Sequence, residues 1–158
     1  LYKNTKGVDD YEENIYDFLR KKADCQIFLS LISNSKLLKY ILKDYQITLF
    51  VPINDCFTGS EELLKDLRND EDRLKDFLNR HFLCDAVGLY EVLDCNLNDN
   101  CYLEYNDFNN QLIKIGKNKN NQFEVKNTIV ISHNENRDML EYEVGTSTVV
   151  FIENYFNF

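Results

Sequence analysis

The stretch Thr48-Leu49-Phe50-Val51-Pro52-Ile53-Asn54-Asp55-Cys56-Phe57 marks the point where the chain changes its period. From Ile47 to Val51 the residues are β-branched, aliphatic or aromatic without a polar break longer than one residue, the composition of a buried strand. Pro52 stops the run, because its ring pushes Val51 into extended backbone and its nitrogen has no proton for a ladder.

Upstream of this strand the apolar residues recur at helical spacing. Ile15, Phe18 and Leu19 form one such set, with Asp10 as the expected cap and Glu12 and Glu13 near the positive end of the dipole. Ile27, Phe28, Leu31 and Ile32 form a second, and Leu37, Leu38, Ile41 and Leu42 a third, separated by Ser33-Asn34-Ser35. Downstream, after Gly59 and Ser60, one helix is expected to carry Leu63, Leu64 and Leu67. A second, capped near Asn69 or Asp70, is expected to carry Leu74, Phe77, Leu78 and Phe82.

From about residue 101 the pattern becomes almost all strand. Cys101 to Tyr105, Gln111 to Ile115, Phe123 to Val125, Thr128 to Ile131, Leu140 to Val144 and Thr148 to Ile152 are short β-rich runs between asparagine, glycine and lysine turns. Helices gathered before strands, with no βαβ alternation and no internal repeat, give an α+β fold with an antiparallel or mixed sheet system. Residues 1–10 lack an apolar period and read as a linker, leaving 11–158 as the domain.

The 158 residues are 44% apolar and 28% charged, the composition of one globular domain able to bury a sizeable core. A net charge of −9 has the wrong sign for a nucleic-acid groove or an anionic membrane surface. No apolar run approaches the ~18 residues of a membrane span. The chain opens on a polar stretch at Leu1, not on a signal sequence, and is expected to be a piece of a longer protein. Its 20 asparagines, none in a glycosylation acceptor, reflect compositional bias more than chemistry.

Candidate chemical sites each meet a simpler structural reading. Of five cysteines, Cys84, Cys95 and Cys101 share one short segment, where at least one disulfide is expected with the partners left open. No Cys-x-x-Cys occurs, and His81 and His133 lack a second ligand at metal spacing, so neither a metal nor a cofactor is expected. Asp94-x-Asn96-x-Asn98-x-Asn100 alternates oxygen ligands like a calcium loop but has Asp99 where a glycine is needed and Tyr105 where a glutamate is needed. Lys117 to Asn121 reads as a hairpin tip, with Lys114 and Lys126 nearby. His81 follows Phe77 by four residues and is read as a hydrogen-bonded core histidine, against the alternative of a base serving a cysteine nucleophile such as Cys56.

The stretch 48–57 resembles the first signature box of fasciclin domains, Thr-Val-Phe-Ala-Pro-Thr-Asn/Asp-x-Ala-Phe, through Thr48, Phe50, Pro52, Asn54 and Phe57. Asn14 to Leu19 and Phe28 to Ile32, followed by Lys36-Leu37-Leu38, resemble the paired opening helices of that family. Leu78 to Leu83, with His81, resembles its central Leu-x-Tyr-His segment. Thr148 to Phe156, with Val149, Val150 and Ile152, resembles its closing box.

The resemblance implies a wedge-shaped β-sandwich with helices concentrated in the N-terminal half, in which His81 is buried and bonds to the region of Asn54 or Asp55. It implies a non-enzymatic protein-interaction or cell-adhesion module of a secreted, surface or secretory-organelle protein, often one of several domains, with protein partners. A structural subunit of a secretory-organelle complex is the alternative, and a small-ligand carrier or enzyme a lesser one. Arg80 stands where the family's adhesion-linked Tyr-His motif has tyrosine, and Phe151 and Glu153 replace polar residues of the last box. Arg80, together with Tyr155, Phe156 and Phe158 of the aromatic tail, is the candidate partner surface, with core closure as the competing role for the tail.

Overall fold

The structure, a computed structural model, describes residues 13–43, 45–85, 87, 102–117, 122–126, 128–131 and 142–156. Helices α1 (Ile15–Arg20), α2 (Gln26–Ser33) and α3 (Leu38–Leu42) come first, then strand β1 (Thr48–Pro52), then α4 (Glu61–Asn69) and α5 (Glu71–Asn79). The remaining strands are β2 (Phe82–Leu83), β3 (Tyr102–Asn106), β4 (Leu112–Lys117), β5 (Phe123–Val125), β6 (Thr128–Ile129), β7 (Tyr142–Val144) and β8 (Ser147–Ile152).

Among the described residues two four-stranded sheets form, one in the order β2-β1-β8-β7 and the other β3-β4-β5-β6. At the centre of the first, β1 and β8 run parallel in the register Thr48 to Thr148 through Pro52 to Ile152. Every residue of both strands is buried, because both faces of this sheet are covered. Leu49, Val51, Val149 and Phe151 point into one core with the helices, including Leu19, Phe28, Ile32, Leu67 and Phe77. Their neighbours Phe50, Val150 and Ile152 point the other way, into a second core with Ile113, Ile115, Phe123 and Val125 of the second sheet. The period-2 alternation of a strand therefore sorts one continuous apolar run into two cores. The layers are helices, sheet, sheet, which is the expected α+β sandwich.

Local signals act as expected in some places and differently in others. Asp70 caps α5, its side chain accepting from the N–H groups of Asp72 and Arg73. The cap of α1 is Asn14, which accepts from the Asp17 N–H, while Asp10, the expected cap, lies outside the described residues. Helix α5 ends at Asn79, so Phe82 belongs to β2, paired antiparallel with β1 through Leu49. An apolar residue four positions after Leu78 fits a helical face and a strand equally, and the turn at Arg80–His81 decides between them. Pro52 is the last paired residue of β1, where its missing proton costs no ladder bond, and the Ile53 N–H donates to the Ile152 carbonyl instead. Leu42, on the expected apolar face of α3, is 43% exposed. Among the described residues no helix is long and apolar enough to cross a membrane.

Candidate functional site

His81 lies at the junction of the two cores and is fully buried. Its Nδ1 is 2.9 Å from the Phe77 carbonyl, which can only accept, so Nδ1 carries the proton. Its Nε2 is 2.9 Å from the Phe156 backbone nitrogen, which can only donate, so Nε2 presents its lone pair. Both ring nitrogens are thereby satisfied by the backbone in the neutral form. The ring stacks on Phe156 at 4.8 Å and touches Phe77 and Phe28 at 4.9 and 5.1 Å. The His81 carbonyl accepts from the Phe50 N–H, fastening the same residue to β1. Burial, with the charges of Lys126 and Arg80, pushes the imidazole down to about 3.

The expected partners of His81 at Asn54 or Asp55 are replaced by Phe77 and Phe156. Asn54 is used elsewhere. Its Oδ1 accepts from the Ile27 N–H and its Nδ2 donates to the Ala23 carbonyl, both at 3.0 Å. Thr48 is equally committed, donating to the Asp85 carbonyl at 2.6 Å and accepting from the Val87 N–H at 2.9 Å. Phe50 meets Phe156 edge-on at 5.6 Å, and Phe57 stacks on Tyr155 at 5.2 Å. Val149, Val150 and Ile152 are core residues of β8.

Tyr155 and Phe156 of the aromatic tail pack inward and help close the core. Phe156 is 1% exposed. Tyr155 is half-buried, with its hydroxyl 3.0 Å from that of Ser60. Arg80, expected on a partner surface, is also folded inward: its side chain is 13% exposed and its guanidinium bonds Asp76 at 2.6 Å. A long aliphatic stem lets an arginine sit against apolar neighbours with its head turned to a carboxylate. Phe158 lies outside the described residues.

Cys84 is a free, exposed thiol and not half of a bridge, while Cys95 and Cys101 lie outside the described residues, as do His133 and the Asp94 to Asn100 run. Cys25 and Cys56 are also free. Burial, their largest cause, pushes the Cys25 thiol up to about 12 and the Cys56 thiol up to about 11. Cys56 donates to the Glu153 carbonyl at 2.8 Å. These are protonated, engaged thiols, unlike an activated nucleophile. Among the described residues no group of His, Cys, Asp or Glu could hold a metal ion. Lys117 lies in β4, antiparallel to β5 with Lys117 opposite Phe123, which is the expected hairpin, although 118–121 at its tip lie outside the described residues.

Sequence reasoning missed a buried ion pair. Asp107 Oδ1 accepts from the N–H groups of Asn109 and Gln111, and Oδ2 faces Lys126 Nζ at 3.6 Å, with the two side chains 0% and 10% exposed. Lys126 Nζ also stands 4.7 Å over the Phe156 ring, on the tail that covers His81. Asp107-Phe108-Asn109-Asn110 has the composition of an Asx turn, the signal that could have placed the carboxylate.

Residues 23–140 match the family described as Fasciclin domain, three quarters of the chain. The chain belongs to the fasciclin domain family. Among solved structures it is similar to a FAS1 domain pair from the insect cell adhesion molecule fasciclin I, at 18% identity and a TM-score of 0.60. That likeness, which concerns the fold, covers 83% of this chain and 44% of the other, so this chain spans less than half the length of the domain pair. No curated protein matches. Fasciclin domains are generally cell-adhesion or protein-interaction modules, typically non-enzymatic, in proteins that are generally extracellular or on the cell surface.

Proposed function

We propose that this fasciclin domain is a non-enzymatic protein-interaction or cell-adhesion module of a secreted, surface or secretory-organelle protein. In this reading residues 11–158 are the domain, 1–10 a linker, and the whole one part of a multidomain chain. The observation that carries it is the state of His81, the family's central histidine: both ring nitrogens are spent on backbone partners inside the core. Thr48, Asn54 and Phe57 are likewise engaged within the fold, so the motif residues build a scaffold and the surface is left to recognise a partner. A net charge of −9 favours a protein partner over a nucleic acid.

Cross-linking of the full-length protein in native extract tests the reading. Partner cross-links should map to exposed side chains of this domain, and an excess of purified folded domain should compete them away. Cross-links that survive the competition would overturn it. So would turnover of a small-molecule substrate that disappears in a folded His81→Gln variant.

A further inference from the structure

The residues after β8 are held in an unusual way. The ladder ends at Ile152, and Glu153 to Phe156 join no strand. They are fixed instead by side-chain contacts: the Cys56 thiol on the Glu153 carbonyl, Tyr155 on Phe57, Phe77 and Ser60, and Phe156 on the His81 and Phe50 rings with Lys126 over its own ring. A stretch held by side chains, outside any backbone ladder, opens as a unit of its own. Its innermost attachment is the bond from the Phe156 N–H to His81 Nε2, which exists only while that nitrogen has a lone pair.

We propose that His81 is a proton-sensitive latch: a second proton on its Nε2 releases the segment Glu153 to Phe156 while the two sheets and the helices stay folded.

The geometry leaves the charged imidazole no stable place in the closed form. Its Nδ1–H already points at the Phe77 carbonyl of α5, so a new Nε2–H would face the Phe156 N–H, donor against donor. From α2 the ring meets Phe28, and from β1 the Phe50 amide bonds its carbonyl, neither of which has a charge. The charged groups that bear on it are cations, Lys126 from the turn after β5 and Arg80 beside it. Asp107 faces Lys126 and Asp76 faces Arg80, so each carboxylate answers a cation and not the ring. Glu153, on the segment itself, is exposed. The closed ring therefore resists protonation down to about 3, whereas an imidazole that departure of the segment leaves fully hydrated titrates near 6.5. Between those values each unit fall in pH favours the open form about tenfold, so passing from pH 7.5 to pH 5.0 favours it about 30-fold.

Cys56 reports the opening, because its half-buried thiol is tied to the segment through the Glu153 carbonyl. Its labelling by 4,4′-dithiodipyridine is measured peptide by peptide, in the wild type and in His81→Gln, at pH 7.5 and pH 5.0. The glutamine carboxamide can accept from Phe156 and donate to Phe77 without titrating, so the ratio of the two proteins cancels the thiol's own pH dependence. The expected result is a wild-type to variant ratio for Cys56 that rises about 30-fold at the lower pH, with Cys25, buried among the helices, unchanged. A ratio that stays constant, or Cys25 rising together with Cys56, overturns the latch. If the variant does not fold, NMR of the wild type decides: exchange broadening of the Phe156 amide that grows below pH 6.5 supports the latch, and a pH-independent signal rejects it.

Discussion

The Asn54 carboxamide caps a helix whose second residue lies 27 residues before it: Oδ1 accepts from the Ile27 N–H in the first turn of α2, while Nδ2 holds the Ala23 carbonyl. The residue at the start of α2, Cys25, supplies no side-chain cap of its own. One side chain from the turn after β1 thus satisfies both a free donor of α2 and a carbonyl of the connection from α1, tying the front helices to the central sheet. Asn54→Ala should lower unfolding stability by about 1–2 kcal/mol, the usual cost of a lost cap together with a second unpaired group. Asn54→Asp should lose less, since it keeps the acceptor for Ile27. Urea denaturation at pH 7 measures both, and an alanine variant with the wild-type midpoint would contradict the assignment.

His81→Ala should be more damaging, because it strands the Phe156 N–H and the Phe77 carbonyl in the core and leaves a cavity among Phe28, Phe77 and Phe156. Loss on the order of 2–4 kcal/mol is expected. His81→Gln, able to serve both partners, should recover part of it. Chemical denaturation of the three proteins checks the order, and equal stability of wild type and alanine variant would rule out the pin.

The Asp107 and Lys126 pair joins the end of β3 to the turn after β5, with both side chains almost fully buried. Asp107→Asn keeps an oxygen for the Asn109 and Gln111 amides but leaves the lysine without that carboxylate, and should cost on the order of 2–3 kcal/mol. Lys126→Met strands the carboxylate and should cost a similar amount. The double variant should be more stable than the sum of the two losses implies, because neither charge is then left uncompensated. Strict additivity in the double-mutant cycle would show that the two groups do not sense each other.

Parts of this architecture could be read locally and parts could not. The runs at Thr48 to Val51 and Thr148 to Ile152 announce buried strands by composition, yet nothing in either run says that they lie side by side and parallel, a pairing between residues 100 apart in the chain. The burial of His81 follows from its apolar neighbours. Its partners do not, because the Phe156 group that meets it is a backbone N–H that every residue but proline has. Asn54 was legible as a committed polar residue, and its target was missed because a carboxamide suits an imidazole and a helix end equally well. Arg80 reads as a surface cation until its aliphatic stem is seen folded inward.

The three free thiols among the described residues should differ widely in reactivity. Cys84 is exposed, and burial with the nearby carboxylates of Asp85 and Asp107 raises its pKa. Cys56 is half-buried beneath the Glu153 carbonyl and held near 11, and Cys25 is fully buried, near the Leu19 and Lys22 carbonyls, and held near 12. A thiol at about 12 is ionised in roughly one molecule in ten thousand at pH 8, and the thiolate is the species that attacks. Alkylation of the native protein by iodoacetamide at pH 8 should therefore modify Cys84 first, Cys56 more slowly and Cys25 only on the timescale of unfolding, as read by peptide mass spectrometry. Cys25 reacting as fast as Cys84 would mean that the packing of α1 against α2 does not shield it, and the helical layer over the central sheet would have to be redrawn.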